Sequence, residues 1–433
     1  MKAATTMTAG MLIVSAVWAP PAAAGQGPPP LCFGEEPTIV GTEENETVRG
    51  TPRRDVIDGR DGNDTVIGRG GDDLVCDSGG AWNTLIGGRG RDRMVGNTYS
   101  IDTLRGGRGN DVLISNGNGD ELASEVMFGG PGDDDIRGWA GHDDAFGGPG
   151  DDLIRGSVED GDYDNSFDLL AGGSGSDRIE ASPSRHTRVE EGAGDDHIIA
   201  SSDTTVDYRR ATGPVTIDLT AGTARGAGRD RFENVTAAIG GPFGDTLVGS
   251  ESSNGLSGGD GDDVLEGLGG DDFIGGWDGA DQIDGGDGDD FVFPGKGRDR
   301  IHGGDGKDML DYNDVMTGIS ADLATGRASA EGVDILDSIE SVDGPSGYRS
   351  KLIGDEGANE LLGGWRGDDI RGRGGNDRLE GFGSDDRLVG GAGDDFLDGD
   401  GATGQPPPDD DFLDGGDGTD TCINGERLER CEA

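Results

Sequence analysis

Aromatic residues make up only 5% of this 433-residue chain, and all hydrophobic residues together 31%. Positive charge is scarce too: 35 Lys and Arg face 88 Asp and Glu, a formal net charge of −53. So little apolar surface cannot build an ordinary globular core, and so much charge of one sign belongs with disordered compositions unless something neutralises it. The same acidity argues against nucleic acid or an anionic membrane as partner. Histidine is nearly absent. His142, His186, His197 and His302 are the whole supply, and none lies in a His-Glu-x-x-His motif, which excludes that class of zinc protease. The four cysteines form no Cys-x-x-Cys or Cys/His cluster, a poor basis for thiolate metal binding. No long hydrophobic run exists either. Met11–Trp18 is too short to span a bilayer and is ended by Pro20 and Pro21.

Glycine, by contrast, occurs 88 times and in a pattern. A nine-residue unit, Gly-Gly-x-Gly-x-Asp-x-U-x with U apolar, recurs along most of the chain. From Gly258 to Asp311 it runs without a gap. The sixth positions are Asp263, Asp272, Asp281, Asp290, Asp299 and Asp308; the eighth are Leu265, Ile274, Ile283, Val292, Ile301 and Leu310. The glycine-rich half supplies turns, since glycine accepts positive φ. The x-U-x half has the period-two alternation of a short strand. Two units therefore make one coil, and residues eighteen apart stack at about 4.8 Å.

Stacking sets carboxylate over carboxylate, which costs free energy unless a cation lies between them. Calcium suits the gap, because it takes six to eight oxygen ligands in flexible geometry. The eighteen-residue rule pairs Asp55 with Asp73, Asp134 with Asp152, Asp245 with Asp263, Asp263 with Asp281, and Asp281 with Asp299. It also pairs Asp272 with Asp290, Asp290 with Asp308, Asp368 with Asp386, and Asp377 with Asp395. Weaker pairs are Glu46 with Asp64, Asn254 with Asp272, Asn359 with Asp377, and Asp102 with Asp120. One divalent ion at each would cancel about half of the excess charge, so binding and folding are expected to be one coupled event.

The repeats from 41 to 423 resemble the RTX, or haemolysin-type, calcium-binding nonapeptide family. The resemblance implies a parallel β-roll in which aspartates of successive turns share several calcium ions. The fold class expected is thus all-β, a parallel β-roll or solenoid in blocks separated by short β-rich inserts. The family's toxins and proteases owe their activities to other domains, so those activities do not transfer. Lys2, the run Met11–Trp18 and Ala22-Ala23-Ala24 form a secretory signal over 1–24. Many family members use a C-terminal export signal instead. The signal and the two cysteine pairs resemble secreted actinobacterial members. Of three possible disulfide connectivities the local one joins Cys32 to Cys76 and Cys422 to Cys431, protecting the two ends.

A Pro-rich lead-in (25–40) precedes a first roll with irregular turns (41–205). A central roll spans 240–311 and a C-terminal roll 344–423, ahead of a disulfide-closed cap at 424–433. Between them lie two inserts, 206–239 and 312–343, that look like copies. Val206-Asp207-Tyr208 followed by Val215–Leu219 is echoed by Leu310-Asp311-Tyr312 followed by Ile319–Leu323. Each is expected to hold two or three longer strands and a helical turn, packed on the end of a calcium block.

Catalytic motifs are missing from what remains. Gly255-Leu256-Ser257-Gly258-Gly259 matches Gly-x-Ser-x-Gly, yet the serine leads into another turn and not into the helix a nucleophile elbow needs. Paired acids are too abundant here to signal glycoside hydrolysis. The reading is of a secreted, extracellular, monomeric calcium-folded protein, not an enzyme, with a structural, adhesive or surface-binding role and a cell-surface or polysaccharide partner. The alternative is an extracellular polysaccharide-acting enzyme or an accessory module of one.

Overall fold

In the computed structural model, residues 31–97, 101–116, 124–138, 142–156, 167–181, 186–200, 203–400 and 410–432 are described. The signal segment, residues 25–30 of the Pro-rich lead-in and Asp120 lie outside them. Nearly every element is a short strand, and each x-U-x triplet is one. Successive triplets alternate between two facing parallel sheets. In one, Val264 aligns with Gln282 and Gln282 with Arg300; in the other, Phe273 aligns with Phe291 and Phe291 with Met309. Each step is eighteen residues, as the repeat dictates. The eighth-position residues of both sheets point inward and are almost fully buried, forming one core from Val48 to Leu413. This core is a narrow, mostly aliphatic seam with one inward residue per strand triplet from each sheet, which is why so little apolar composition suffices.

Glycine pairs end the strands and turn the corner. Gly286 and Gly304 sit at φ of 109° and 126°, and a Cβ on Gly304 would lie 1.8 Å from the Gly286 carbonyl oxygen of the coil before. Only glycine permits that close stacking. The irregular stretch 77–128 keeps the sheets in register, with Leu85, Met94, Leu104 and Leu113 all buried. The steps between aligned strands lengthen in this stretch. There the eighteen-residue rule fails: Thr103 aligns with Val126, so Glu125, not Asp120, follows Asp102 in the stack.

The two inserts are threaded into a sheet rather than packed on the end of a block. In the first, Arg229–Glu233 lies parallel on His197–Ile199. Thr223–Arg225 and Thr216–Asp218 follow antiparallel, and Thr216–Asp218 then pairs parallel with Thr246–Ser250. The second repeats this order with Asp334–Asp337, Arg327–Ser329 and Ser320–Asp322 between Arg300–Asp305 and Lys351–Ile353. The opposite sheet passes both inserts directly, through Ala237–Ile239 and Ser341–Asp343. One face therefore widens by two strands, and a fully buried tyrosine, Tyr208 or Tyr312, packs in the core there. The expected helical turn is present in the second insert alone, as a 3-10 turn at Leu323–Thr325.

Both disulfides are the local ones, Cys32–Cys76 and Cys422–Cys431. Among the described residues no helix is long and apolar enough to cross a membrane.

Candidate metal centres

Each turn delivers its sixth-position carboxylate beneath the backbone of the coil before. The Asp263 amide donates to Asp281 Oδ1 at 2.9 Å, and the Asp281 amide to Asp299 Oδ1 at 2.9 Å. On the other edge Asp272 donates to Asp290 and Asp290 to Asp308, at 2.8 and 2.9 Å. The same link joins Asp55 to Asp73, Asp134 to Asp152, Asp245 to Asp263, Asp368 to Asp386 and Asp377 to Asp395. Glu46 reaches Asp64, Asn254 reaches Asp272, and Asn359 reaches Asp377. These residues thus form two columns of stacked carboxylates.

One oxygen of each carboxylate is used by that link. The other, Oδ2, is buried with no hydrogen-bond partner in Asp64, Asp73, Asp134, Asp152, Asp263, Asp272, Asp281, Asp290, Asp308, Asp377 and Asp395. An ionised oxygen left so would be costly, and a cation between neighbouring turns is the remedy that the donor set suits. The first glycine of the turn keeps the place open: a Cβ on Gly258 would fall 2.2 Å from Asp263 Oδ2, and one on Gly285 2.2 Å from Asp290 Oδ2.

Three predicted residues differ. Asp55, Asp245 and Asp368 each begin a run, and their Oδ2 accepts an amide of their own turn, from Thr51, Gly241 and Gly364 at 2.6, 2.5 and 2.8 Å. Asp299 shares its side chain with Asp334 of the second insert.

Burial pushes the carboxyls up, and the stacked neighbours add to it. Asp263 rises to about 7, with Asp281 and Asp245 contributing, and Asp272 to about 7 beside Asp290. Asp281 and Asp308 reach about 6, Asp377 about 7 and Asp134 about 8. The backbone amide on Oδ1 pulls each partly back.

The columns also contain aspartates that the eighteen-residue rule does not find. Asp73 donates to Asp92, Asp92 to Asp111, Asp111 to Asp134, Asp152 to Asp177 and Asp177 to Asp196. Asp386 donates to Asp411, and Asp395 to Asp420. Steps of 19, 23 and 25 residues hide them from a strict period. A simpler signal finds them all: each stands two residues before an inward-facing apolar residue, as Asp92 does before Met94 and Asp177 before Ile179.

The catalytic candidates are occupied structurally. Ser257 lies in the strand Gly255–Asp260, and its Oγ accepts the Trp277 indole N–H at 2.8 Å. His197 and His302 are exposed and face Glu233 and Asp337.

The family model for the RTX calcium-binding nonapeptide repeat (4 copies) matches residues 40–75, 77–98, 97–124, 122–154, 239–274, 257–292, 295–315, 362–397 and 408–426. Together these are more than half of the chain. The stretches 155–238 and 316–361, which hold most of both inserts, are unmatched. No curated protein matches the sequence.

Proposed function

The chain belongs to the RTX calcium-binding nonapeptide repeat family, and on that premise we propose that it is a secreted protein that folds around calcium and acts outside the cell as a structural, adhesive or surface-binding solenoid. Repeats of this family bind multiple calcium ions. The observation that carries the reading is the pair of columns in which buried Oδ2 atoms stack without partners. Asp64, Asp73, Asp134, Asp152, Asp263, Asp272, Asp281, Asp290, Asp299, Asp308, Asp377, Asp386 and Asp395 would hold the ions, with Asp55, Asp245 and Asp368 closing the ends of runs. Bound calcium supplies the positive charge that these carboxylates lack. Rolls at 41–205, 240–311 and 344–423, parted by inserts at 206–239 and 312–343, belong to the same proposal.

Two disulfides favour an oxidising compartment. A surface role is favoured by an aromatic strip on the outside of one sheet. Phe273 and Trp277 are about half exposed; Phe273 stacks on Phe291 with ring centroids 5.6 Å apart and meets Phe293 at a tilt, 4.8 Å away. Phe273, Trp277 and Phe293 line an apolar trough of about 340 Å³ together with Gly255 and Gly275. Exposed apolar patches of this kind mark contact sites, and flat aromatic faces suit sugar rings.

The test is a calcium titration of the EDTA-treated mature protein, followed by far-UV circular dichroism and calorimetry. A coil-to-β transition with about ten ions supports the proposal. Unchanged dichroism and hydrodynamic radius would sink it. For the surface role, depletion by insoluble polysaccharide should weaken at least tenfold in Trp277→Ala.

A further inference from the structure

Glu191 stands where the repeat calls for glycine. Its turn reads Glu191-Gly192-Ala193-Gly194-Asp195-Asp196, so the glutamate takes the first position of Gly-Gly-x-Gly-x-Asp. Elsewhere a Cβ at that position would point straight at the Oδ2 of its own turn's aspartate. A side chain there is therefore aimed into the space between two carboxylates. Glu191 is only 9% exposed, neither of its buried carboxylate oxygens has a donor N–H or O–H as partner, and its side chain lies against that of Asp196. Oxygens of Glu191, Asp196 and Asp230 all come within 4.8 Å of one another.

The surroundings are built. Asp196 Oδ1 accepts the Asp177 amide at 2.8 Å, and Asp230 Oδ1 accepts the Asp196 amide at 3.1 Å. The Tyr208 hydroxyl donates to Asp230 Oδ2 at 2.8 Å. Among the described residues no arginine or lysine forms an ion pair with any of the three acids. A cavity of about 460 Å³ beside Asp196 and Asp230 is lined also by His197, Arg225, Arg229 and Arg231.

The second insert is an internal control. There Asp299 donates to Asp334 Oδ1 at 3.1 Å and the Tyr312 hydroxyl to Asp334 Oδ2 at 3.0 Å, the same arrangement. Its turn begins with Pro294, and the third carboxylate is missing. Two neighbouring acids that share one proton keep one negative charge; a third ionised acid beside them adds a second.

We propose that Glu191, Asp196 and Asp230 form a separate binding site for a single divalent cation, calcium by its all-oxygen donors, tighter than the repeat sites. Three convergent carboxylates raise the ligand charge, which is what tunes calcium affinity in oxygen sites. The site takes Asp196 from one of the columns, lies in the unmatched stretch 155–238, and does not need the ions of the other turns proposed above.

Terbium ion titrated into the mature chain, with tyrosine excitation, reads it directly, because Tyr208 touches a ligand. The tightest phase should sensitise through Tyr208, vanish in Tyr208→Phe and persist in Tyr312→Phe. Glu191→Gln, which mimics a protonated glutamate, should weaken that phase at least tenfold. Calcium calorimetry of Glu191→Gln should lose one tight ion. Glu191→Gly restores the repeat's own residue, so it keeps the test valid should Glu191→Gln fold poorly, and it should lose the same phase. An unchanged tight phase in both Glu191 variants overturns the site and shows that the cluster is held by protons. A wild-type chain that binds no calcium at repeat stoichiometry but keeps the tight phase would overturn the calcium-folded reading of the repeats and leave this site standing.

Discussion

Replacing Asp281 with Asn should act in opposite directions with and without calcium. Asp281 is fully buried, its Oδ1 accepts the Asp263 amide at 2.9 Å, and its Oδ2 has no partner. Burial lifts its carboxyl from 3.8 to about 6. A folded-state value above the unfolded one means that the calcium-free fold is favoured at low pH and loses that stability as pH rises through the folded value. Two units correspond to about 3 kcal/mol at pH 7.5, and water access to the turn reduces this to roughly 1–3 kcal/mol. Asparagine keeps the Oδ1 acceptor and sheds the charge. Without calcium it should therefore stabilise by that amount above pH 7 and by nothing near pH 4. With calcium it removes a ligand from two adjacent gaps, toward Asp263 and toward Asp299. Each site filled at a hundredfold excess over Kd contributes about 2.7 kcal/mol, so the loss should outweigh the gain. The assay is far-UV circular dichroism. In EDTA, β structure gained on acidification from pH 8 should appear at higher pH in the variant; at pH 7.5 the calcium midpoint should rise. Equal destabilisation in EDTA and in calcium would refute the reasoning, since it would make Asp281 a purely structural acceptor.

Gly285→Ala places a Cβ 2.2 Å from Asp290 Oδ2 and 2.5 Å from the Gly303 carbonyl oxygen, so calorimetry should count fewer ions and stability in calcium should fall by roughly 1–3 kcal/mol. Tyr312→Phe strips the donor from buried Asp334 Oδ2, and scanning calorimetry with calcium present should show a loss of about 1–3 kcal/mol. Calcium binding at pH 6, where protonated carboxyls favour the calcium-free fold, should release protons; at pH 8, where the calcium-free chain is a coil of ionised carboxylates, it should release far fewer. Asp263, Asp272 and Asp377 at about 7 are largely protonated at the lower pH and must ionise to bind. Calorimetry in buffers of different ionisation enthalpy measures this, and a release independent of pH would contradict the raised values.

The repeat was legible because its causes are local. A glycine turn, an aspartate and one apolar residue in a strand triplet recur at a step that the strand spacing itself imposes. Hence the inward-facing Leu265, Ile274 and Ile283, and the stacking of Asp263 on Asp281, could be read before any coordinates. Where the steps lengthen, the period carries no information. Asp92, Asp111 and Asp177 join the columns through steps of 19, 23 and 25 residues, and the strand register sets Glu125 behind Asp102. The inserts were legible as copies, through Asp207-Tyr208 and Asp311-Tyr312, but not as strands threaded into a sheet.

The sequence by itself determined the all-β solenoid, its eighteen-residue step and the oxygen chemistry of its turns, because each follows from backbone geometry within one or two repeats. Only the tertiary structure decided which Oδ2 atoms are left open and which, at Asp55, Asp245 and Asp368, are closed by an amide of their own turn. It alone brought Glu191, Asp196 and Asp230 together, because that meeting spans an insert whose length carries no periodic mark.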